Sequence, residues 1–203
     1  MTIDIDTGYF QELAGKDSGE VCRRALCSYS PNDRCYTLSI LNEEYGIYPH
    51  ESRITRVSDG KEDITIYMAL FIICYLLGSK DTPIHKEWIS EKDILGGLTF
   101  FTGPHAIPVD LITQNRNDYI RSFVNSCKQL SGTPIDMADA AFLFRMAPRI
   151  PVAVLLWEKD DEFPAESRLL FDRTITEHLA LDVIFGMTVE LCKRIGRFMD
   201  SLQ

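Results

Sequence analysis

An α+β fold follows from three features of the sequence. Tyr36, Leu38 and Ile40 alternate with Cys35, Thr37 and Ser39, the period of a half-buried strand. Ile64 to Leu77 is apolar apart from Thr65, which is too long for a strand and suits a buried helix. Near the C-terminus, Ile184, Thr188, Leu191, Ile195 and Phe198 recur at helical spacing.

Taken in chain order, residues 1–30 read as a helical appendage of two short helices broken at Gly15-Lys16-Asp17. Asp17 or Ser18 is placed to cap the second, with Val21, Ala25 and Leu26 on its inner face. A small N-terminal β-meander follows, with a turn at Asn42 to Gly46 and further strands around Ile47 and from Ile54 to Val57. The central helices come next. Asp63 is positioned to cap the Ile64–Leu77 helix, and Gly78 to end it in the left-handed conformation. A second, amphipathic helix is expected over Asp118–Leu130, with Ile120, Phe123, Val124 and Cys127 turned inward and Gly132 as terminator. A C-terminal strand pair is expected at Ala141–Met146 and Val152–Trp157, the latter continuously apolar as a central strand would be. The closing amphipathic helix starts at Asp182, and Lys193, Arg194 and Arg197 are expected near its C-terminal end, where the helix dipole favours cations. These elements are expected to share one core in a single domain over residues 1–203.

The chain has 203 residues, of which 45% are hydrophobic and 25% charged, an ordinary globular composition. Asp and Glu number 30 against 21 Lys and Arg, a net charge of -9, and that balance argues against a nucleic-acid partner. The opening residues, Met1 to Asp6, are acidic and lack the basic start and apolar core of a secretory signal. The apolar run falls short of the ~20 residues that a membrane span needs. A soluble, cytoplasmic protein is the expectation, with no membrane partner and its oligomeric state left open. The six cysteines are expected to be reduced structural thiols, with Cys74 inside the apolar helix. No CxxC pair occurs, which argues against a zinc ribbon or an iron–sulfur cluster within this chain. Cys22, Cys27 and Cys35 remain a trio that the fold could bring together.

The segment from Gly96 to Pro108 holds three glycines and two prolines around Phe100, Phe101 and His105, more backbone specialisation than a linker needs. A lone imidazole beside two aromatics suits an axial metal ligand, as to a tetrapyrrole, or a general base, or a turn-shaping residue bonded to a backbone carbonyl. A second candidate is the stretch from Glu158 to Asp182, with eight acidic residues against three basic ones. Carboxylates after a central strand can hold a hard cation or act as acid and base, but a calcium-loop spacing is missing and solvated loop charge is the favoured reading. In Pro148-Arg149-Ile150-Pro151 a rigid turn presents an arginine that can clamp a carboxylate or phosphate, or pair with the acidic loop. Trp88 and Trp157 read as packing residues. The sequence contains no P-loop, GxGxxG, GxSxG or HExxH motif.

An ordered series of short blocks runs through the chain: Gly96-Gly97; Phe100-Phe101-Thr102-Gly103-Pro104-His105; Asp139-Ala140-Ala141-Phe142 through Pro148-Arg149-Ile150-Pro151; Trp157-Glu158; Asp161-Glu162-Phe163-Pro164; and Leu170-Phe171-Asp172. This series resembles the signature of the domain of unknown function 3786 family over roughly Tyr36 to Ile195. It departs at Lys159, where the resemblance implies a glycine, and in lacking the ferredoxin-like cysteine series of relatives with an appended iron–sulfur domain. The resemblance implies a setting in anaerobic bacteria and archaea but no particular reaction.

Three functions are therefore expected in descending order. The first is an accessory cofactor-binding protein of anaerobic metabolism, with a corrinoid or haem against the Gly96–His105 loop. There His105 would be the axial metal ligand, Phe100, Phe101 and Gly103 would line the site, and Arg149 and Arg145 would face the propionates or amides. The anaerobic setting motivates the corrinoid. The second is an enzyme in which His105 works with Asp161 or Glu162 as acid and base, around a divalent cation. The third is an interaction module whose acidic face docks a basic partner protein.

Overall fold

The computed structural model describes residues 5–58, 64–113 and 119–201. Helices α1 (Thr7–Ala14) and α2 (Ser18–Ala25) are separated at Gly15, and the side chains of Asp6 and Asp17 cap them by accepting from the Gly8 and Glu20 amides. Strands β1 (Ser28–Ser30), β2 (Cys35–Ile40), β3 (Glu43–Tyr48) and β4 (Arg53–Arg56) form an antiparallel meander in chain order. On β2, Tyr36, Leu38 and Ile40 are buried, as their alternation requires. The β2–β3 turn is tighter than the sequence suggested. Leu41 and Asn42 both take positive φ, at 49° and 61°, so strand pairing resumes at Glu43 and Gly46 lies within β3 rather than in the turn.

Helix α3 (Ile66–Gly78) starts at a Thr65 cap, its hydroxyl accepting from the Met68 amide; Asp63, the expected cap, lies outside the described residues. Gly78 is not left-handed. It is the last helical residue, and a Cβ there would meet the His178 carbonyl oxygen at 3.0 Å, so its value is close approach to a neighbouring element. After the two-residue strand β5 (Trp88–Ile89) come the short helices α4 (Gly97–Phe100) and α5 (Asp110–Thr113), then α6 (Tyr119–Gln129), whose expected first residue Asp118 lies outside the described residues. Ser131, with φ 58°, supplies the left-handed residue that ends α6; Gly132 instead donates to the Cys127 carbonyl and sits against Phe144.

The C-terminal half holds β6 (Thr133–Pro134), β7 (Ala140–Ala147), β8 (Ile150–Trp157) and β9 (Glu166–Asp172), then α7 (Ile175–His178) and α8 (Leu181–Ser201). Instead of a strand pair, a five-stranded antiparallel sheet forms in the order β5-β9-β8-β7-β6. The central strand is β8, as its unbroken apolar run implies. Its two faces are covered differently. Val152, Val154 and Leu156 join the main core, while Ala153 and Leu155 pack with Ala141 beneath Trp88, Trp157 and Leu170.

One buried cluster unites both sheets and the helices, and it includes Phe10 and Leu13 of α1 and Val21 and Ala25 of α2. Leu26 stands apart from that inner face: it takes the left-handed position that ends α2 and is 54% exposed. The two sheets also meet by backbone. A β-bulge between Arg145 and Ala147 interrupts the β7–β8 register, and the Arg145 carbonyl accepts from the Leu41 amide at 3.1 Å. On α8 the expected inner residues Ile184, Thr188, Leu191 and Ile195 are buried. The helix runs on to Ser201, however, so Lys193, Arg194 and Arg197 lie before its last turn and owe little to the dipole.

The connection between α3 and β5 has little secondary structure of its own and is held by buried polar groups. Asp172 accepts from the His85 and Lys86 amides at 3.2 and 2.6 Å and from the Thr174 amide and hydroxyl at 3.1 and 2.7 Å. Burial pushes its carboxyl up, yet these bonds outweigh burial and hold it below the ordinary carboxylate range. His178, 3% exposed, accepts from the Lys80 amide at Nδ1, which leaves Nε2 as its proton-bearing nitrogen. Burial first, then the Arg149 charge, lowers its pKa from 6.5. The folded protein thus takes up this proton less readily than the unfolded chain. The stabilising contribution is complete above about pH 6.5 and is lost as the pH falls toward the depressed folded value. Melting temperature should therefore drop between pH 7 and 5, and the drop should be shallower in His178→Asn, whose side-chain oxygen can still accept from the Lys80 amide. Parallel profiles for the two proteins would rule out this role.

Candidate functional site

The glycine–proline segment folds back upon itself. Gly96 takes φ 80° ahead of α4, and Gly97 packs so tightly on the Glu91 carbonyl that a Cβ would lie 2.0 Å from its oxygen. Thr102 closes the next turn by donating to the Thr99 carbonyl at 2.9 Å. Gly103, with φ 55°, and Pro104 open a single 3-10 turn that ends at His105. These constraints place the imidazole face to face with Phe100, at 4.7 Å and 12°, and edge-on to Phe185 of α8 at 5.3 Å. Phe101 is 9% exposed and meets Phe100 edge-on at 5.1 Å. His105 is exposed, and its ring makes no hydrogen bond among the described residues, so it is not a turn histidine tied to a carbonyl. Leu95 and Leu98 nearby in sequence are 95% and 69% exposed.

The other expected residues are placed elsewhere. Arg149 is 8% exposed and its guanidinium serves the fold: Nε donates to the Arg24 carbonyl at 2.6 Å and Nη1 to the Thr82 carbonyl at 3.0 Å, while Nη2 reaches the Arg23 carbonyl and Asp81. Its own amide donates to the Tyr75 hydroxyl at 3.2 Å. The turn arginine thus pairs with Asp81 rather than with the acidic loop. Arg145 points outward from β7. Asp161 and Glu162 are exposed on a loop closed by Asp160, whose carboxylate accepts from the Glu162 and Phe163 amides. Among the described residues no bond joins either carboxylate to His105, and no group of three His, Cys, Asp or Glu side chains is spaced to hold a metal ion.

The cysteine trio resolves into a pair. The sulfurs of Cys22 and Cys27 are 3.9 Å apart, whereas Cys35 turns to the opposite side of β2 from Tyr36 and donates to the Tyr36 carbonyl.

A cavity of about 620 Å³ opens where the β2–β3 turn, the end of β4, the start of α3, the end of α6 and α8 converge. Its volume lies within the usual range of small-molecule sites, ~300–1,000 Å³. Asn42, Glu43, Arg56, Thr65, Ser131, Glu190, Arg194 and Arg197 line it. Arg194 organises the wall: Nε donates to Glu190 at 2.8 Å, Nη1 to Glu43 at 3.2 Å and Nη2 to the Tyr45 hydroxyl at 3.3 Å. Tyr45 donates to Glu43 at 2.9 Å and Thr65 to Glu190 at 2.7 Å. Burial works against the Arg194 charge, but Tyr45 and Glu190 hold the guanidinium above even an arginine's ordinary value. Burial likewise raises the Tyr45 phenol, with Arg194 opposing. Among the described residues three arginines face two glutamates here, on a chain of net charge -9. Sequence reading missed this site because its residues are spread from position 41 to 198. The available signal was Glu190 and Arg194 at i and i+4 in the closing helix, with Arg197 one turn further on.

A family model described as domain of unknown function (DUF3786) matches residues 17–194. Neither a curated protein nor a solved structure matches the chain.

The Glu190 side chain is 3% exposed and Arg194 17%, so removing the cation strands a buried carboxylate. Arg194→Met should cost ~3–5 kcal/mol in urea unfolding, and the double variant Glu190→Gln/Arg194→Met should recover much of that loss. A double variant no more stable than the single one would show that the pair is not coupled.

Proposed function

The chain belongs to the domain of unknown function (DUF3786) family, and we propose that it is a binding protein for a small organic anion, seated in the cavity between the meander and α8. The observation that carries this reading is the arginine set. Arg194 is immobilised by Glu190, Glu43 and Tyr45, while Arg197, one turn further along α8, is exposed at the same cavity. A guanidinium recognises carboxylate or phosphate oxygens through parallel N–H donors, and Arg197 can supply them by turning toward a ligand without unmaking the buried Arg194 network. Asn42, Thr65 and Ser131 add polar groups to the lining, and Leu130 and Phe198 supply apolar wall. Titration calorimetry with succinate, citrate, phosphate and pyrophosphate should find saturable binding to at least one of them. Arg197→Ala should weaken that binding about tenfold while leaving the melting temperature of the free protein unchanged. Binding that is undetectable across the panel, or unaltered in the variant, would overturn the assignment.

A second reading keeps a corrinoid or haem on His105, with the accessory role in anaerobic metabolism that the family resemblance suggested. It is favoured by one observation: the imidazole is exposed, stacked on Phe100, and free of hydrogen bonds among the described residues. An axial ligand needs such a nitrogen. Arg149, with its donors engaged by the fold, does not fit the propionate-binding part, so this reading rests on the imidazole and the aromatic pair. Absorbance titration with aquocobalamin and haemin should show a shifted band that is lost in His105→Ala. Identical spectra for the two proteins would remove it.

A further inference from the structure

We propose that Cys22 and Cys27 form a redox-active dithiol that closes to an intramolecular disulfide across the C-terminus of α2. Leu26 takes the left-handed conformation at φ 52° and ψ 48°, and the amides of both Leu26 and Cys27 donate to the Cys22 carbonyl, the latter at 3.2 Å. In this type of helix ending the residues at the positions of Cys22 and Cys27 are brought side by side, and usually an apolar pair fills the contact. Here two thiols fill it, with Cys27 Sγ 3.9 Å from Cys22 Sγ. Because both backbones are tied to one carbonyl, side-chain rotation has only to bring the sulfurs from that separation to the ~2.05 Å of a disulfide. Both side chains are partly exposed, which admits a small oxidant.

The two thiols are not equivalent. Burial and the proximity of Cys22 push the Cys27 thiol far up, whereas the Cys22 thiol is raised by burial but eased by the hydrogen bond from Cys27. The hydrogen bond runs from Cys27 Sγ to Cys22 Sγ and so favours a thiolate at Cys22, which makes Cys22 the attacking sulfur and Cys27 the resolving one. With a small-molecule disulfide as oxidant, the Cys22 thiolate attacks one of its sulfurs and expels a thiolate. Cys27 then attacks the Cys22 sulfur, and its proton goes to the second departing thiolate. Two protein thiols are oxidised, and one disulfide is reduced to two thiols.

Closure would act on more than the helix end. Two of the four residues between the cysteines, Arg23 and Arg24, offer the carbonyls that Arg149 holds, and Arg23 shares Asp81 with Arg149. Oxidation would therefore stiffen the junction of α2, the β7–β8 turn and the segment after α3.

Incubating the full chain with excess oxidised glutathione, followed by alkylation and mass spectrometry, should give a loss of about 2 Da and a peptide linking Cys22 to Cys27. The oxidised protein should melt a few degrees higher than the reduced one. Cys27→Ser should instead retain a glutathione adduct on Cys22. The double variant Cys22→Ser/Cys27→Ser serves as a folding control and should melt with the reduced protein. Thiols that stay free, an adduct that persists on Cys22 in the unaltered chain, or a link to another cysteine would each overturn the proposal.

Discussion

Helix α3 carries apolar side chains on nearly every side, from Met68, Ala69 and Phe71 through Ile72, Ile73 and Leu76, and all of these are buried. A helix with no polar stripe needs cover on most sides, and the other elements supply it except along Ile66, which is 54% exposed, and the half-buried Leu70, Cys74 and Leu77. Helices α1 and α2 pack on one side, α8 runs along another, and the β7–β8 sheet contributes to the same cluster. Among its buried residues the polar exception is Tyr75. Its hydroxyl donates to the Ala25 carbonyl at 3.0 Å and accepts from the Arg149 amide at 3.2 Å, so one buried group ties the end of α2 to the β7–β8 turn. Arg149 repeats the link with its side chain. Its donors meet carbonyls at the C-terminus of α2 and after α3 that would otherwise lie unsatisfied.

Enclosing α3 also determines where a ligand can enter. The sides of the elements are spent on the core, so cavities form where their ends meet. At the cavity beside Arg194, the tight Leu41–Asn42 turn, Thr65 at the start of α3 and Ser131 after α6 supply short polar groups, each already required by a turn or a cap. The longer charged groups come from β3, β4 and α8. Arg194 and Glu190 lie deep enough that neither is tolerable alone, and their pairing fixes the wall before any ligand arrives. The His105 segment shows the opposite economy. Gly97 and Gly103 are used up in folding the loop against Glu91 and into a 3-10 turn, and the exposed imidazole rests on aromatic stacking with Phe100 and Phe185.

Much of the fold was legible because local pattern and burial agree. The alternation at Tyr36, Leu38 and Ile40, the Asp17 cap, the central strand at Val152–Trp157 and the α8 stripe each answer to a period or a cap read within a few residues. Terminators were less legible. Ser131 rather than Gly132 took the left-handed position, and Gly78 was needed for its closeness to His178, because a glycine's role depends on what lies opposite it. The strand β9 escaped notice since Arg168 and the flanking carboxylates mask its alternation.

Composition and periodicity by themselves determined that this chain forms an α+β structure around an apolar central helix, since burying an all-apolar segment is a demand that any fold must meet. The ordered motif blocks likewise carried the family, now supported over residues 17–194. The partners of the polar residues were decided only by the tertiary structure. Arg149 met backbone carbonyls, Arg194 met Glu43 from 151 positions away, and Cys22 met Cys27 while Cys35 turned aside. Hydrogen bonds and ion pairs act over a few ångströms and are indifferent to sequence separation, so a charged side chain's role is set by which backbone passes beside it once the core has closed.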